Sequence, residues 1–153
     1  MRILDATCSN RGIWFIKDFP GCTYIDIRPE VKPDRVEDCR HTTFPDEEFD
    51  LIVFDPPHMN IGESSGKVLK YGVFKTAEII NLIPAAFAEF DRILKDNGLI
   101  LFKWNTHHIK LPRVLALIPK SFIPLFGQRV SLRTKFSSQT YWICIIKQEA
   151  NRR

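Results

Sequence analysis

Asp50 to Phe54 reads DLIVF, and a run so continuously apolar, ended by Asp55-Pro56-Pro57, leaves few folds open. A strand that alternates apolar and polar residues has one wet face. One that does not is covered on both faces, the condition of a central strand in a parallel α/β sheet. Other segments follow the same plan. Ile3-Leu4 leads into Asp5 as a first strand, Cys22 to Ile27 is a second after the Pro20-Gly21 break, Arg35 to Cys39 holds a short third, and Leu99 to Trp104 is a fifth. Between them the pattern predicts a helix over Arg11 to Asp18. It predicts a longer one in which Ile83, Phe87, Phe90 and Leu94 line one stripe, with Pro84 either starting or kinking it and Asn97-Gly98 as a left-handed stop. Pro112 to Ile118 is expected as a short helix. Gln128 to Leu132 and Thr140 to Lys147 are too close in sequence for a helical crossover, so they are expected to pair antiparallel. The whole of 1–153 is read as a single α/β domain, a mostly parallel seven-stranded sheet with helices on both faces and an antiparallel C-terminal hairpin.

Composition narrows the class. Of 153 residues 44% are hydrophobic and 26% charged, as in a soluble globular protein. No apolar run approaches the roughly 20 residues that span a bilayer, and no basic leader precedes the first strand. A cytoplasmic location without membrane contact is expected. Cys8, Cys22, Cys39 and Cys144 form no C-x-x-C pair and are expected as reduced, mostly buried thiols; His107 and His108 read as loop residues, so no metal site is expected. The net charge is +4, and between Lys103 and Lys135 there is no acid, while Lys103, Lys110, Arg113, Lys120, Arg129, Arg133 and Lys135 occur. Such a block is a solvated face or a phosphate footprint.

In an open parallel sheet, ligands sit outside the carboxyl ends of the strands, where strand order reverses. Four acids stand at those places: Asp5, Asp26, Asp38 and Asp55. With "ILDATCSNRG", "YIDIRPE", "VEDCRHTTFP", "EEFDLIVFDPPH" and "RILKDNGLILFKW", the chain resembles the class I S-adenosylmethionine-dependent methyltransferases from Ile3 to about Lys147, which implies a Rossmann-like fold. The resemblance implies that Asp26, with Ile27 beside it, holds the ribose hydroxyls of S-adenosyl-L-methionine, and that Asp38, with Cys39, meets the adenine amine. It also implies that Asp5, Ala6, Arg11 and Gly12 form the loop at the methionine end, next to Asp55. One carboxylate has lone pairs enough for two vicinal hydroxyls, and the N–H groups of a helix following Arg11 are suited to the cofactor carboxylate. The loop has a single glycine, Gly12, where the family has two or three. Ala6, Cys8 and Ser9 are small enough for close approach, Asn10 tolerates a left-handed turn, and Arg11 is placed to reach the carboxylate.

Asp55-Pro56-Pro57-His58 is similar to the D/N-P-P-aromatic motif of methyltransferases acting on planar amino nitrogens. The lone pair of an aryl amine is delocalised into its ring. Accepting hydrogen bonds from both N–H groups favours the pyramidal, nucleophilic form, and a carboxylate (Asp55) plus a prolyl carbonyl (Pro56) supply two acceptors. His58 stands where a stacking ring is usual. The expected activity is methylation of an exocyclic amine of a nucleobase in DNA or RNA, with catalytic residues Asp55, Pro56 and His58. A free nucleotide or small molecule as substrate, and an inert subunit that binds nucleic acid or a partner, remain alternatives. Glycine-punctuated residues from His58 to Thr76, with Lys67, Lys70, Tyr71 and Lys75, read as a substrate lid or a surface loop. A homodimer or a partner subunit is a possible source of target recognition.

Overall fold

The computed structural model describes residues 1–57, 76–130 and 138–149. The strands are β1 (Ile3–Asp5), β2 (Cys22–Asp26), β3 (Arg35–Val36), β4 (Phe49–Phe54), β5 (Leu94–Asn105), β6 (Phe122–Val130) and β7 (Thr140–Lys147). They form one sheet in the order β3-β2-β1-β4-β5-β7-β6. Pairs among β1 to β5 are parallel, whereas β7 runs antiparallel to both β5 and β6. This is the mostly parallel seven-stranded sheet with an antiparallel C-terminal pair that the strand pattern predicts. Chain order runs outward from β1 to β3 on one side and from β4 to β5 on the other. The reversal therefore lies between β1 and β4, where ligands of such sheets bind.

Helix α1 (Thr76–Ile93) crosses from the segment after β4 to β5, and the short α2 (Leu111–Leu115) follows β5. Apolar residues of α1, among them Ile79, Ile83, Phe87 and Phe90, share one buried cluster with Leu4, Ile25, Ile52, Phe54, Ile100, Phe102, Trp104, Ile143 and Ile145. The alternation along each strand selects these residues: they occupy one face of the sheet. Val114 of α2 and Phe44 of the β3–β4 crossover join the same cluster. Pro84 lies inside α1 rather than at its start. Leu94, expected to end the helical stripe, instead opens β5 and pairs with Phe49; Asn97 takes the left-handed turn at φ 60. Gly98 is needed for space: a Cβ there would lie 2.7 Å from the Leu94 side chain and 2.8 Å from the Lys95 carbonyl oxygen.

Two expectations need correction. Residues 11–18 form turns, not a helix. Arg11 has φ 55, which no right-handed helix accommodates, and the consecutive apolar residues Ile13 to Ile16 cannot all face a core from one helix; Phe15 and Ile16 stay exposed. The sixth strand starts at Phe122 rather than Gln128 and passes through Pro124, with a register irregularity between Pro124 and Phe126. A proline is tolerated there because β6 is an edge strand, where an N–H that faces away from the neighbouring strand makes no ladder bond. No described helix is long and apolar enough to cross a membrane.

Candidate active site at the β1–β4 reversal

Three of the four acids stand at or just past the carboxyl ends of β1, β2 and β4, and Asp38 follows β3 by two residues. The parallel register explains the convergence. Asp5 aligns with Tyr24 on one side and Val53 on the other, so the chain beyond β1 passes between the ends of β2 and β4. The loop after β1 is tied to both: the Ala6 amide donates to the Val53 carbonyl and the Cys8 amide to the Ile25 carbonyl, each at 2.9 Å. Thr7 completes the link, its Oγ1 accepting the Asp55 amide at 3.0 Å.

Asp5 is only 1% exposed. Trp14 Nε1 donates to its Oδ2 at 2.7 Å and the Thr7 amide to its Oδ1 at 3.2 Å. Burial pushes its carboxyl up to about 6 despite these two bonds, which lower it, and the charges of Asp55 and Asp26 add to the rise. Trp14 thus closes over Asp5, a role that its place in an expected helix concealed.

Asp26 is buried and fully engaged. Its Oδ1 accepts the Arg28 amide at 3.0 Å and Arg28 Nε at 2.9 Å; its Oδ2 accepts Arg28 Nη2 at 3.0 Å and the Ser9 amide at 2.9 Å. Ile27, the next residue, is apolar yet 52% exposed. The Glu37 amide donates to the Asp26 carbonyl at 3.2 Å, which brings Asp38 and buried Cys39 to the same edge. Asp38 is gripped by Arg40, whose guanidinium and amide hold its carboxyl below the usual range. Burial raises the thiols of Cys8 and Cys39 to about 12, so neither is a nucleophile near neutral pH.

The glycine-poor loop solves its turn differently from the expectation. Ser9 at φ 46 and Arg11 at φ 55 take left-handed backbone, not Asn10. Two non-glycine residues in that region cost on the order of 1 kcal/mol each, and their bonds offset the strain. The Ser9 amide is fixed by Asp26, and the Arg11 guanidinium pairs with Asp18 and Asp34 and lies 4.2 Å from the Tyr24 ring centroid. Arg11 is therefore a brace of the loop, and without a helix after it the anion site expected from helical N–H groups is not formed. Gly12 remains in the loop, where an added Cβ would meet Asn10 Oδ1 at 3.0 Å.

Asp55 follows β4 directly, with Pro56 buried and Pro57 half-buried behind it. Its Oδ2 accepts a hydrogen bond from Lys103 Nζ at 2.7 Å. The sequence hides this partner inside a basic stretch, although the register exposes it: Phe54 pairs with Phe102, so the residues one step on, Asp55 just past β4 and Lys103 still within β5, come side by side. Lys103 in turn lies opposite Trp142 on β7, with Nζ 5.8 Å from its ring centroid. His58 and the expected lid up to residue 75 lie outside the described residues, as do Arg133 and Lys135.

No family model matches the chain, and no curated protein does. Solved structures do. The PH0226 protein from Pyrococcus horikoshii OT3 superposes at a TM-score of 0.67 with 15% identity, over 96% of this chain and 82% of that one. The [4+2]-cyclase SpnF gives 0.67 with 13% identity, covering 97% and 75%. The N-methyltransferase NodS from Bradyrhizobium japonicum WM9, in complex with S-adenosyl-L-homocysteine, gives 0.65 with 15% identity, covering 97% and 78%. At these identities the likeness is one of fold. A cyclase and an N-methyltransferase share it, so the reaction is decided by the residues at the site.

Proposed function

We propose that this protein is an S-adenosylmethionine-dependent methyltransferase that acts on an exocyclic amino nitrogen of a nucleobase in DNA or RNA. One observation carries the reading: at the β1–β4 reversal, Asp55 stands at the end of β4, stiffened by Pro56-Pro57 and fixed from two sides by Thr7 and Lys103. The residues around it suit the cofactor. Asp26 and Asp38 stand at the ends of β2 and β3, where their carboxylates can receive the adenosine once Arg28 and Arg40, which bond them here, give way, and the exposed Ile27 beside Asp26 gives a planar ring an apolar surface. The NodS complex, with the demethylated cofactor on the same fold, supports the assignment. Bound there, S-adenosylmethionine supplies an electrophilic methyl group on its sulfonium.

The chain's own residues do the rest. The Asp55 carboxylate and the Pro56 carbonyl accept the two N–H groups of the amine and so turn its lone pair out of conjugation. A bonded carboxylate can then take the proton that the methylated nitrogen sheds. Orientation and exclusion of water supply most of the acceleration in a direct displacement of this kind. Lys110, Arg113, Lys120 and Arg129 are exposed, and they provide cations for the phosphates of a strand.

The test is transfer of labelled methyl from the cofactor to separate pools of DNA, RNA and free nucleotides, followed by digestion and identification of the product. Label on a base amine, with affinity for the strand that falls steeply with salt, is the expected result. Label on a free nucleotide only moves the substrate to a small molecule. If neither S-adenosylmethionine nor its demethylated product raises the melting temperature or binds by calorimetry, the assignment is wrong.

A further inference from the structure

We propose that Lys103 is a specificity-determining residue, and that with Asp55 it reads the edge of an amino-azine, a ring whose reactive amine sits beside an unprotonated ring nitrogen. The proposal rests on the amino-methylation reading and narrows its substrate to adenine or cytosine.

The pair is an acceptor and a donor 2.7 Å apart, and both side chains remain reachable, at 20% exposed for Asp55 and 23% for Lys103. Neither group is used up by the other. A carboxylate has about four acceptor positions and an ammonium three donors, so each can bond its partner and a ligand together. The ammonium is also held in place: its strand neighbour Trp142 lies on the same side of the sheet with its ring centroid 5.8 Å from Nζ. What fits against an acceptor next to a donor is a donor next to an acceptor.

Adenine and cytosine carry that pattern on the Watson–Crick edge, where the amine is attached to a carbon bonded to an unprotonated ring nitrogen. Guanine does not. On that edge its amine stands beside a ring N–H, which would point at the Lys103 ammonium, donor against donor. Its other flanking nitrogen is crowded by the sugar. An amine without a neighbouring ring acceptor would satisfy Asp55 and leave Lys103 without a ligand bond. Two well-placed bonds to one base edge discriminate by about tenfold to a hundredfold.

The experiment measures kcat/KM for methyl transfer to single-stranded DNA and RNA oligonucleotides carrying a single adenine, cytosine or guanine. It includes deaza analogues of the first two, in which the ring nitrogen beside the amine is replaced by carbon. The wild type is expected to modify adenine or cytosine and to lose roughly tenfold to a hundredfold on the matching deaza analogue. Lys103→Met is expected to be slower on the natural base and to treat it and its deaza analogue alike. Equal wild-type rates on the two overturn the edge reading and leave amino methylation standing. A deaza penalty that persists in Lys103→Met shows that another group reads the nitrogen, and a guanine product excludes the assignment as well. Transfer to none of the oligonucleotides removes the nucleobase reading together with this one. If Lys103→Met does not fold, equal wild-type rates on base and deaza analogue still overturn the proposal, and Lys103→Leu takes its place for attributing a penalty to this residue.

Discussion

Arg28 lies across Asp26: the backbone amide and two guanidinium nitrogens donate to the carboxylate, which leaves Ser9 as the other donor seen there. An arginine fork on a carboxylate is among the stronger hydrogen-bonded pairs, and it occupies the oxygens that the ribose hydroxyls would need. For the cofactor to be held by Asp26, the Arg28 side chain has to swing aside. Arg28→Ala is therefore expected to tighten S-adenosylmethionine binding by roughly threefold to tenfold, the gain being less than the full strength of a charge-assisted bond because water takes its place. Asp26→Ala is expected to weaken binding by about 1–3 kcal/mol. Calorimetric titration of both variants checks this; weaker binding by Arg28→Ala would mean that the guanidinium itself holds the cofactor.

Asp5 gives a pH dependence with a definite sign. Burial pushes its folded carboxyl up to about 6 from the ordinary carboxylate value of 3.8, so the native state binds the proton more tightly than the unfolded chain. Stability owed to this group is fully present below the unfolded value and is lost as pH rises through the folded one, a window from about 4 to about 6. The shift is worth on the order of 3 kcal/mol. Asp5→Asn removes the titration, so its stability relative to wild type should rise by roughly that amount between pH 4 and pH 7. Denaturant unfolding at the two pH values measures it, and an equal difference at both would show that Asp5 is not strained by burial.

Much of this arrangement is legible in the sequence because it follows from local chemistry. The apolar DLIVF run, the stripe of Ile83, Phe87 and Phe90, and the acids after the first, second and fourth strands each report their own environment. The turn at Asn97 was visible for the same reason, since Asn tolerates left-handed backbone. The rest depends on register and on long-range partners. Lys103 reads as one more cation of a basic stretch until the β4–β5 pairing places it opposite Asp55. Trp14 falls within the helix expected over Arg11 to Asp18, and nothing local to it points to Asp5, which takes its indole N–H. Arg28 and Arg40 are cations two residues past an acid, and only in the folded chain do they close on Asp26 and Asp38.

Lys147, at the end of β7, caps α1 from across the fold. Its ammonium is buried and donates to the carbonyls of Asp91 at 2.7 Å and Leu94 at 2.8 Å, with Asp96 at 3.5 Å. These are carbonyls that a helix terminus leaves without intrahelical partners, and a cation there also meets the negative end of the helix dipole. Lys147→Met keeps the stem and removes the donors, so it is expected to cost about 2–3 kcal/mol of stability. The unfolding midpoint should fall without loss of cofactor affinity in the folded protein, because Lys147 pairs with Phe122 at the opposite end of β7 from Trp142. A shift under about 0.5 kcal/mol would place the ammonium in solvent.

Asp55 separates chemistry from binding. Its carboxylate is assigned to the substrate amine, whereas the adenosine of the cofactor is assigned to Asp26 and Asp38. Asp55→Ala should therefore leave S-adenosylmethionine affinity nearly unchanged and reduce turnover by about a hundredfold or more, since a charge-assisted acceptor in a dry site contributes on the order of 2–4 kcal/mol to the transition state. The substitution also leaves the Lys103 ammonium without the carboxylate it bonds, which adds to the loss. Asp55→Asn is expected to be milder, because the amide oxygen still accepts one bond while its nitrogen is turned away from Lys103. The Thr7 contact gives an internal control. It is made by the Asp55 backbone amide, so both variants retain it, and the loop after β1 should keep its place. Single-turnover rates at saturating cofactor, beside calorimetric affinities, resolve the two effects. Full activity in Asp55→Ala on the identified substrate would leave the fold and the cofactor standing and remove the amino-methylation mechanism.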